Sequence, residues 1–97
     1  MNLSYVYILK CSDGSYYTGV SSDLEKRMFQ HHSGYYQDCY TYKRRPLELV
    51  FTWEFTHVSI AIDAEKQIKK WSRAKKEALI RGEYDLLPEL AKKKFRD

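Results

Sequence analysis

Apolar positions at the start of the chain alternate with a period of two. Tyr5, Tyr7 and Leu9 fall on one side of an extended backbone, Val6 and Ile8 on the other. Aromatic and β-branched residues favour pleated backbone, and apolar groups on both sides predict a strand over residues 4–10 covered on both faces, at the centre of a sheet. Ser12-Asp13-Gly14-Ser15 reads as a turn in which Gly14 is free to take positive φ. The chain then returns over residues 15–20 as a second, antiparallel strand that brings Tyr17 near Tyr7. Gly19 removes a side chain where this strand leaves the sheet, which lets backbone or ligand approach.

Beyond Val20 the period becomes helical. Ser22-Asp23-Leu24-Glu25 has the form of a capping box, with an acid at the positive end of the helix dipole. Leu24 and Met28, one turn apart, are expected to face the sheet, while Arg27 and His31 share a neighbouring face. Gly34 suits the left-handed position that ends a helix. Residues 35–46 have no period and crowd four tyrosines and three cations before Pro46. These rings either fold back over the core or stand out beside the cations, where they could stack on bases. A third strand over residues 47–55 places Leu47, Leu49, Phe51, Trp53 and Phe55 on one face, with Glu48, Val50, Thr52 and Glu54 opposite. Ser59 opens a helix with a buried stripe of Ala61, Ala64, Ile68 and Trp71, bordered by Glu65. Ser72 caps a further helix through about Arg81, which Gly82 ends, and residues 86–95 hold a last short one with Pro88 in its first turn. The expected class is α/β, or α+β by strict layer count: one domain over residues 1–97, with a central three-stranded sheet flanked by helices.

Ninety-seven residues suffice for a single modest core. The chain is 43% hydrophobic and 31% charged, which fits a globular protein rather than a disordered one. No apolar run approaches the roughly 20 residues needed to span a bilayer, and the first residues carry no secretory signal. With just Cys11 and Cys39, a reducing cytoplasm is the expected setting and a structural disulfide is not needed. The formal net charge of +4 is unevenly spread: residues 43–76 hold nine lysines and arginines against four acids. Lys43, Arg44, Arg45, Lys69, Lys70 and Arg73 therefore form either solvated surfaces or a grip on a polyanion.

Two phenols, a guanidinium and an imidazole converge if the hairpin and first helix pack as read. Tyr7 and Tyr17 could equally be ordinary strand packing. Arg27 could pair with Asp23 on the surface, and Glu65 with Lys69 four residues on. Together, Tyr5-Val6-Tyr7 and Tyr17-Thr18-Gly19 at hairpin separation, Arg27 ten residues after Tyr17, His31 four later, and Glu65 on the helix after the third strand resemble the GIY-YIG nuclease superfamily. The small stand-alone bacterial members are the nearest in form, and Tyr40-Thr41, Arg44-Arg45-Pro46 and Lys69-Lys70-Trp71-Ser72-Arg73 look like further segments of that subgroup. Tyr5 stands in place of the first glycine, Val6 and Thr18 replace isoleucines, and Val20 occupies a position where repair-type relatives carry lysine.

The resemblance implies a divalent-metal-dependent endonuclease acting on nucleic acid, DNA before RNA, and the small domain leads us to expect selection by structure or damage rather than by sequence. It implies Tyr17 as general base with Tyr7 as second candidate, Arg27 as a phosphate clamp, His31 as phosphate or proton partner, and Glu65 as ligand of one Mg²⁺ or Mn²⁺ ion. Asp63 is two residues away on another helix face, so one ion fits better than two. The alternative from another class is a nucleic-acid-binding module with little turnover.

Overall fold

The structure is a computed structural model that describes residues 2–83. The short helix expected within residues 86–95 lies outside the described residues. Three strands, β1 (Ser4–Lys10), β2 (Tyr16–Ser21) and β3 (Glu48–Phe55), form an antiparallel sheet in the order β2-β1-β3. β1 is the central strand, as its two apolar faces require: Val6, Tyr7, Ile8 and Leu9 are all fully buried. Helix α1 (Leu24–Ser33) follows the hairpin, and α2 (Val58–Lys69) and α3 (Arg73–Ile80) follow β3.

The helices cover opposite faces of the sheet. Ala61, Ala64 and Ile68 of α2 and Ala78 and Leu79 of α3 pack with Val6, Ile8 and Phe55. Leu24 and Met28 of α1 pack on the other side, against Tyr7, Leu9, Cys11 and Leu47. Trp71, expected in the buried stripe, is half-buried at the edge of the first cluster.

Three local expectations are corrected. The cap of α1 is Asp23, not Ser22: Asp23 Oδ1 accepts from Lys26 N at 3.1 Å, and Ser21 Oγ in turn accepts from Asp23 N at 3.0 Å. A carboxylate placed one residue later serves as cap, and Ser21, two residues before it, braces its backbone. The apolar residues of β3 do not share one face. Ile8 pairs with Phe51 but Leu9 pairs with Leu49, so Val50 is an extra residue in a bulge. The bulge sends Leu47 and Leu49 to the α1 side, while Phe51, Trp53 and Phe55 go to the α2 side. Both clusters thereby gain apolar cover from one strand, and Leu49 remains 39% exposed. Finally, the space above Gly19 is taken by a side chain, not by backbone, and is not left open to a ligand. Tyr7 lies directly across the hairpin from it, and the tyrosine ring occupies the place of the missing side chain.

Candidate active site

Hairpin register pairs Tyr7 with Gly19 and Leu9 with Tyr17, so both phenols point to the α1 face as diagonal neighbours, ring centroids 6.4 Å apart. Helix α1 lays His31 beside them, fully covered. The Tyr7 hydroxyl and His31 Nε2 are 2.9 Å apart, and the Tyr17 ring centre is 5.4 Å from the imidazole. The other ring nitrogen, His31 Nδ1, lies 3.2 Å from Thr41 Oγ1, and the Thr41 hydroxyl reaches Cys39 Sγ at 3.4 Å. Arg27, one turn before His31, donates to the carbonyl of Val20 at 3.3 Å and lies 5.7 Å over the Tyr36 ring. It makes no pair with Asp23, which is occupied as the helix cap.

An open hollow of about 560 Å³ lies over this group, lined by Tyr17, Arg27, His31, Tyr36 and Cys39 among others. Tyr7 is fully buried beneath it. Tyr36 is fixed at the rim by donating to Gln30 Oε1 at 2.6 Å. The tyrosine-rich loop thus follows both of its expected fates. Tyr36 folds inward, while Tyr35 is 67% exposed and Tyr40, 44% exposed, stacks beside Tyr17.

The electrostatics follow from burial. His31 is pushed down to about 4, first by desolvation and then by the Arg27 charge, so its imidazole is neutral at pH 7. Desolvation likewise lifts both phenols above the ordinary tyrosine value. Tyr17 rises furthest, with Cys39 and Tyr7 adding to the effect and Arg27 opposing it. Burial is the largest single effect and works against the Arg27 charge, but Tyr7, Tyr36 and Tyr17 together outweigh it and favour the charged guanidinium.

Of the five side chains expected to meet, Tyr7, Tyr17, Arg27 and His31 do so. Glu65 does not line the hollow. It sits buried on α2, and its carboxylate contacts the Lys69 ammonium at 3.2 Å, the i,i+4 pair its spacing allowed. Among the described residues no three His, Cys, Asp or Glu side chains cluster as a metal cage. Mg²⁺ commonly takes one or two carboxylates and completes its shell with water and phosphate oxygens, so one carboxylate can serve, but here the Lys69 ammonium competes for it and it stands outside the hollow.

The basic residues divide. Lys43 and Lys70 are exposed, and Lys69 is exposed beside Glu65. Each arginine ties down backbone while keeping a cationic face on a ring. Arg44 meets Asp13 at 3.1 Å and lies 3.7 Å over Tyr40. Arg45 donates to the Tyr42 carbonyl at 2.9 Å. Arg73 donates to the Gly14 carbonyl at 2.6 Å and meets Glu77 at 3.2 Å.

A family model described as GIY-YIG catalytic domain matches residues 3–78. The chain belongs to the GIY-YIG family. It is 47% identical over 81 residues to a UPF0213 protein of Syntrophus aciditrophicus (strain SB), covering 84% of this chain and 93% of that one. The UPF0213 protein SSP2268 of Staphylococcus saprophyticus is 46% identical over 80 residues, 82% of this chain and 96% of the relative. The solution NMR structure of the protein EF2693 from E. faecalis superposes with a TM-score of 0.61 at 36% identity, covering 87% of this chain and 88% of that one. That of the UPF0213 protein BH0048 from Bacillus halodurans gives 0.54 at 44% identity, covering 81% and 83%. The resemblance read from the triplets is therefore shown, and the α+β fold with it.

Within this GIY-YIG domain the geometry explains the second triplet, Tyr17-Thr18-Gly19. Tyr17 faces the hollow, Thr18 turns to the α2 side opposite Ile8, and Gly19 leaves room for the Tyr7 ring. Thr41, Cys39 and Tyr36 escaped the sequence reading as site residues. They lie in a loop without period, where the one available signal was small polar groups set among rings. No helix among the described residues is long and apolar enough to cross a membrane.

Proposed function

We propose that this protein is an endonuclease that hydrolyses phosphodiester bonds in DNA, selecting by structure or damage rather than by base sequence. The reading rests on its membership of the GIY-YIG family and on one observation: Tyr17, Arg27 and His31 line the same open hollow, with Tyr7 buried directly behind them and hydrogen-bonded to His31.

Each residue has a role its position supports. Arg27 donates to the phosphoryl oxygens as a permanently charged clamp. Tyr17, as phenolate, accepts a proton from the attacking water. The water oxygen bonds to phosphorus, the bond to the leaving oxygen breaks with its electron pair on that oxygen, and the leaving oxygen takes a proton from solvent. Tyr17 then releases its proton to solvent. Tyr7 is fully buried and His31 has both ring nitrogens engaged, so these two position the clamp rather than touch substrate. The family implies one Mg²⁺ or Mn²⁺ ion that would supply neutralisation of phosphate charge, and Glu65 is the carboxylate that would hold it; Glu65 stands outside the hollow and is paired with Lys69, so no step at Tyr17 and Arg27 is assigned to the ion. Lys43 and Lys70, with the ring-facing arginines, would hold the backbone without reading bases.

A second reading has its own observation. Lys69 occupies the Glu65 carboxylate and burial keeps Tyr17 protonated, which suits a nucleic-acid-binding module without turnover. A panel of nicked, branched and single-stranded DNA, with matching RNA, separates the two. Cleavage that needs Mg²⁺ or Mn²⁺ and is lost in Glu65→Gln supports the nuclease. Salt-sensitive binding that survives Tyr17→Phe and Glu65→Gln, with no cutting at any metal concentration, supports the binder.

A further inference from the structure

We propose that Thr41, backed by Cys39, is a positioning residue: it fixes the His31 tautomer so that Tyr7 presents oxygen lone pairs, not its proton, to the Arg27 clamp. The catalytic consequence rests on the nuclease reading above; the tautomer itself does not.

A buried donor needs an acceptor. Tyr7 is fully buried, so its hydroxyl proton needs an acceptor within the protein. Among the described residues, the side chain within hydrogen-bond distance of this hydroxyl is His31, through Nε2 at 2.9 Å, while Arg27 acts on it as a nearby cation. A guanidinium has donors and no acceptor. The Tyr7 proton therefore goes to His31 Nε2, which must be bare. A neutral imidazole carries its proton on the other nitrogen, so Nδ1–H donates to Thr41 Oγ1 at 3.2 Å. Thr41 is 1% exposed and has a single proton, which it donates to Cys39 Sγ at 3.4 Å.

The far end of the chain agrees. Burial alone would raise the Cys39 thiol, yet hydrogen bonds from the Thr41 side chain and backbone and from Tyr17 bring it below its ordinary value, the behaviour of a sulfur that accepts. Every link runs one way, from Tyr7 through His31 and Thr41 to the sulfur. Reversal would put a proton on Nε2 and leave the Tyr7 hydroxyl proton with no partner but a cation. The Tyr7 oxygen would then spend a lone pair on Nε2–H and turn its own proton toward the Arg27 cation beneath the hollow.

The test is the ¹⁵N tautomer signature of the His31 ring at neutral pH in uniformly labelled protein. The expected spectrum shows the proton on Nδ1, retained in Thr41→Ser and shifted toward Nε2 in Thr41→Val. If the full-length protein cuts DNA, Thr41→Val lowers the single-turnover rate on the order of 10–100-fold and Thr41→Ser restores it. A wild-type His31 protonated on Nε2 overturns the proposal even if Thr41→Val fails to fold. So does a folded Thr41→Val whose tautomer is unchanged. A wild type with the expected tautomer but no cleavage of any substrate would overturn the nuclease reading and the catalytic role, while leaving the hydrogen-bond chain established.

Discussion

Replacing Gly19 by alanine adds one methyl group at the tightest point of the site. Gly19 pairs directly with Tyr7 across the hairpin, and a Cβ built there falls 2.5 Å from Tyr7 Cζ and closer still to the hydroxyl. The ring has no free direction, since Tyr7 is fully buried between β2 and α1. Overpacking of this kind costs about 1–3 kcal/mol. If the ring gives way, the Tyr7–His31 hydrogen bond breaks, and a buried polar group left unpaired costs about 1–3 kcal/mol more. Gly→Ala in a strand returns about 0.5–1 kcal/mol through the unfolded chain. The net expectation is a loss of about 2–4 kcal/mol, a large share of the roughly 5–15 kcal/mol available to a chain of this length. Urea denaturation reads it directly, and thermal unfolding should show a fall in Tm of at least about 10 °C. Gly14→Ala is the control: its nearest outside neighbour is Arg73 Nη2 at 4.0 Å, so it carries the strain of φ +86° without a clash and should lose less, about 1 kcal/mol. A Gly19→Ala protein within 0.5 kcal/mol of wild type, with His31 ring signals unmoved, would refute the claim that Gly19 exists to seat Tyr7.

Three further outcomes follow from the same geometry. The His31 pKa is lowered on folding, so the unfolded chain binds its proton more readily; the neutral ring's contribution is complete above about pH 6.5 and is lost as pH falls to about 4, a loss of about 3 kcal/mol. Urea titrations of wild type and His31→Gln across that window should converge toward low pH, and parallel curves would contradict the assignment. Because Tyr17 is raised above the ordinary phenol value, its phenolate fraction grows about tenfold per pH unit through neutrality; the cleavage rate should rise with that slope from pH 6.5 to 8.5, and a flat profile would remove Tyr17 as base. Glu65→Gln should abolish metal-dependent cutting yet change stability by less than about 1 kcal/mol, because its partner Lys69 is exposed; unfolding of this variant would instead make Glu65 a structural residue.

Much of the fold can be read from residues that have one job. Val6 and Ile8 opposite Tyr7 and Leu9 define a central strand, and Arg27 and His31 at helical spacing bring their chemistry to one face. The bulge at Val50 could not be read, because an apolar residue there leaves the alternation from Leu47 to Phe55 unbroken on paper. Only the pairing with β1 reveals that two cores must be served by one strand. Ser21, Ser22 and Asp23 are all competent caps, and the choice among them depends on which hydroxyl braces which amide. Tyr7 and Tyr17 look equivalent in sequence, two rings in two strands. Their difference, one buried and one lining the hollow, comes from Gly19 and from the α1 packing above them. The site's inner hydrogen bonds were the least legible part. Thr41 and Cys39 sit two residues apart in an aperiodic loop, and their relation to His31 exists only once α1 and that loop are folded together.

Whether the hollow bounded by Tyr17 and Arg27 breaks phosphodiester bonds is decided by single-turnover cleavage of an end-labelled branched DNA by wild type and Tyr17→Phe in Mg²⁺, with binding followed in parallel by anisotropy. Tyr17→Phe should lose cutting by about 100-fold or more with affinity unchanged within a few-fold. A Tyr17→Phe protein that cuts as fast as wild type would contradict that expectation.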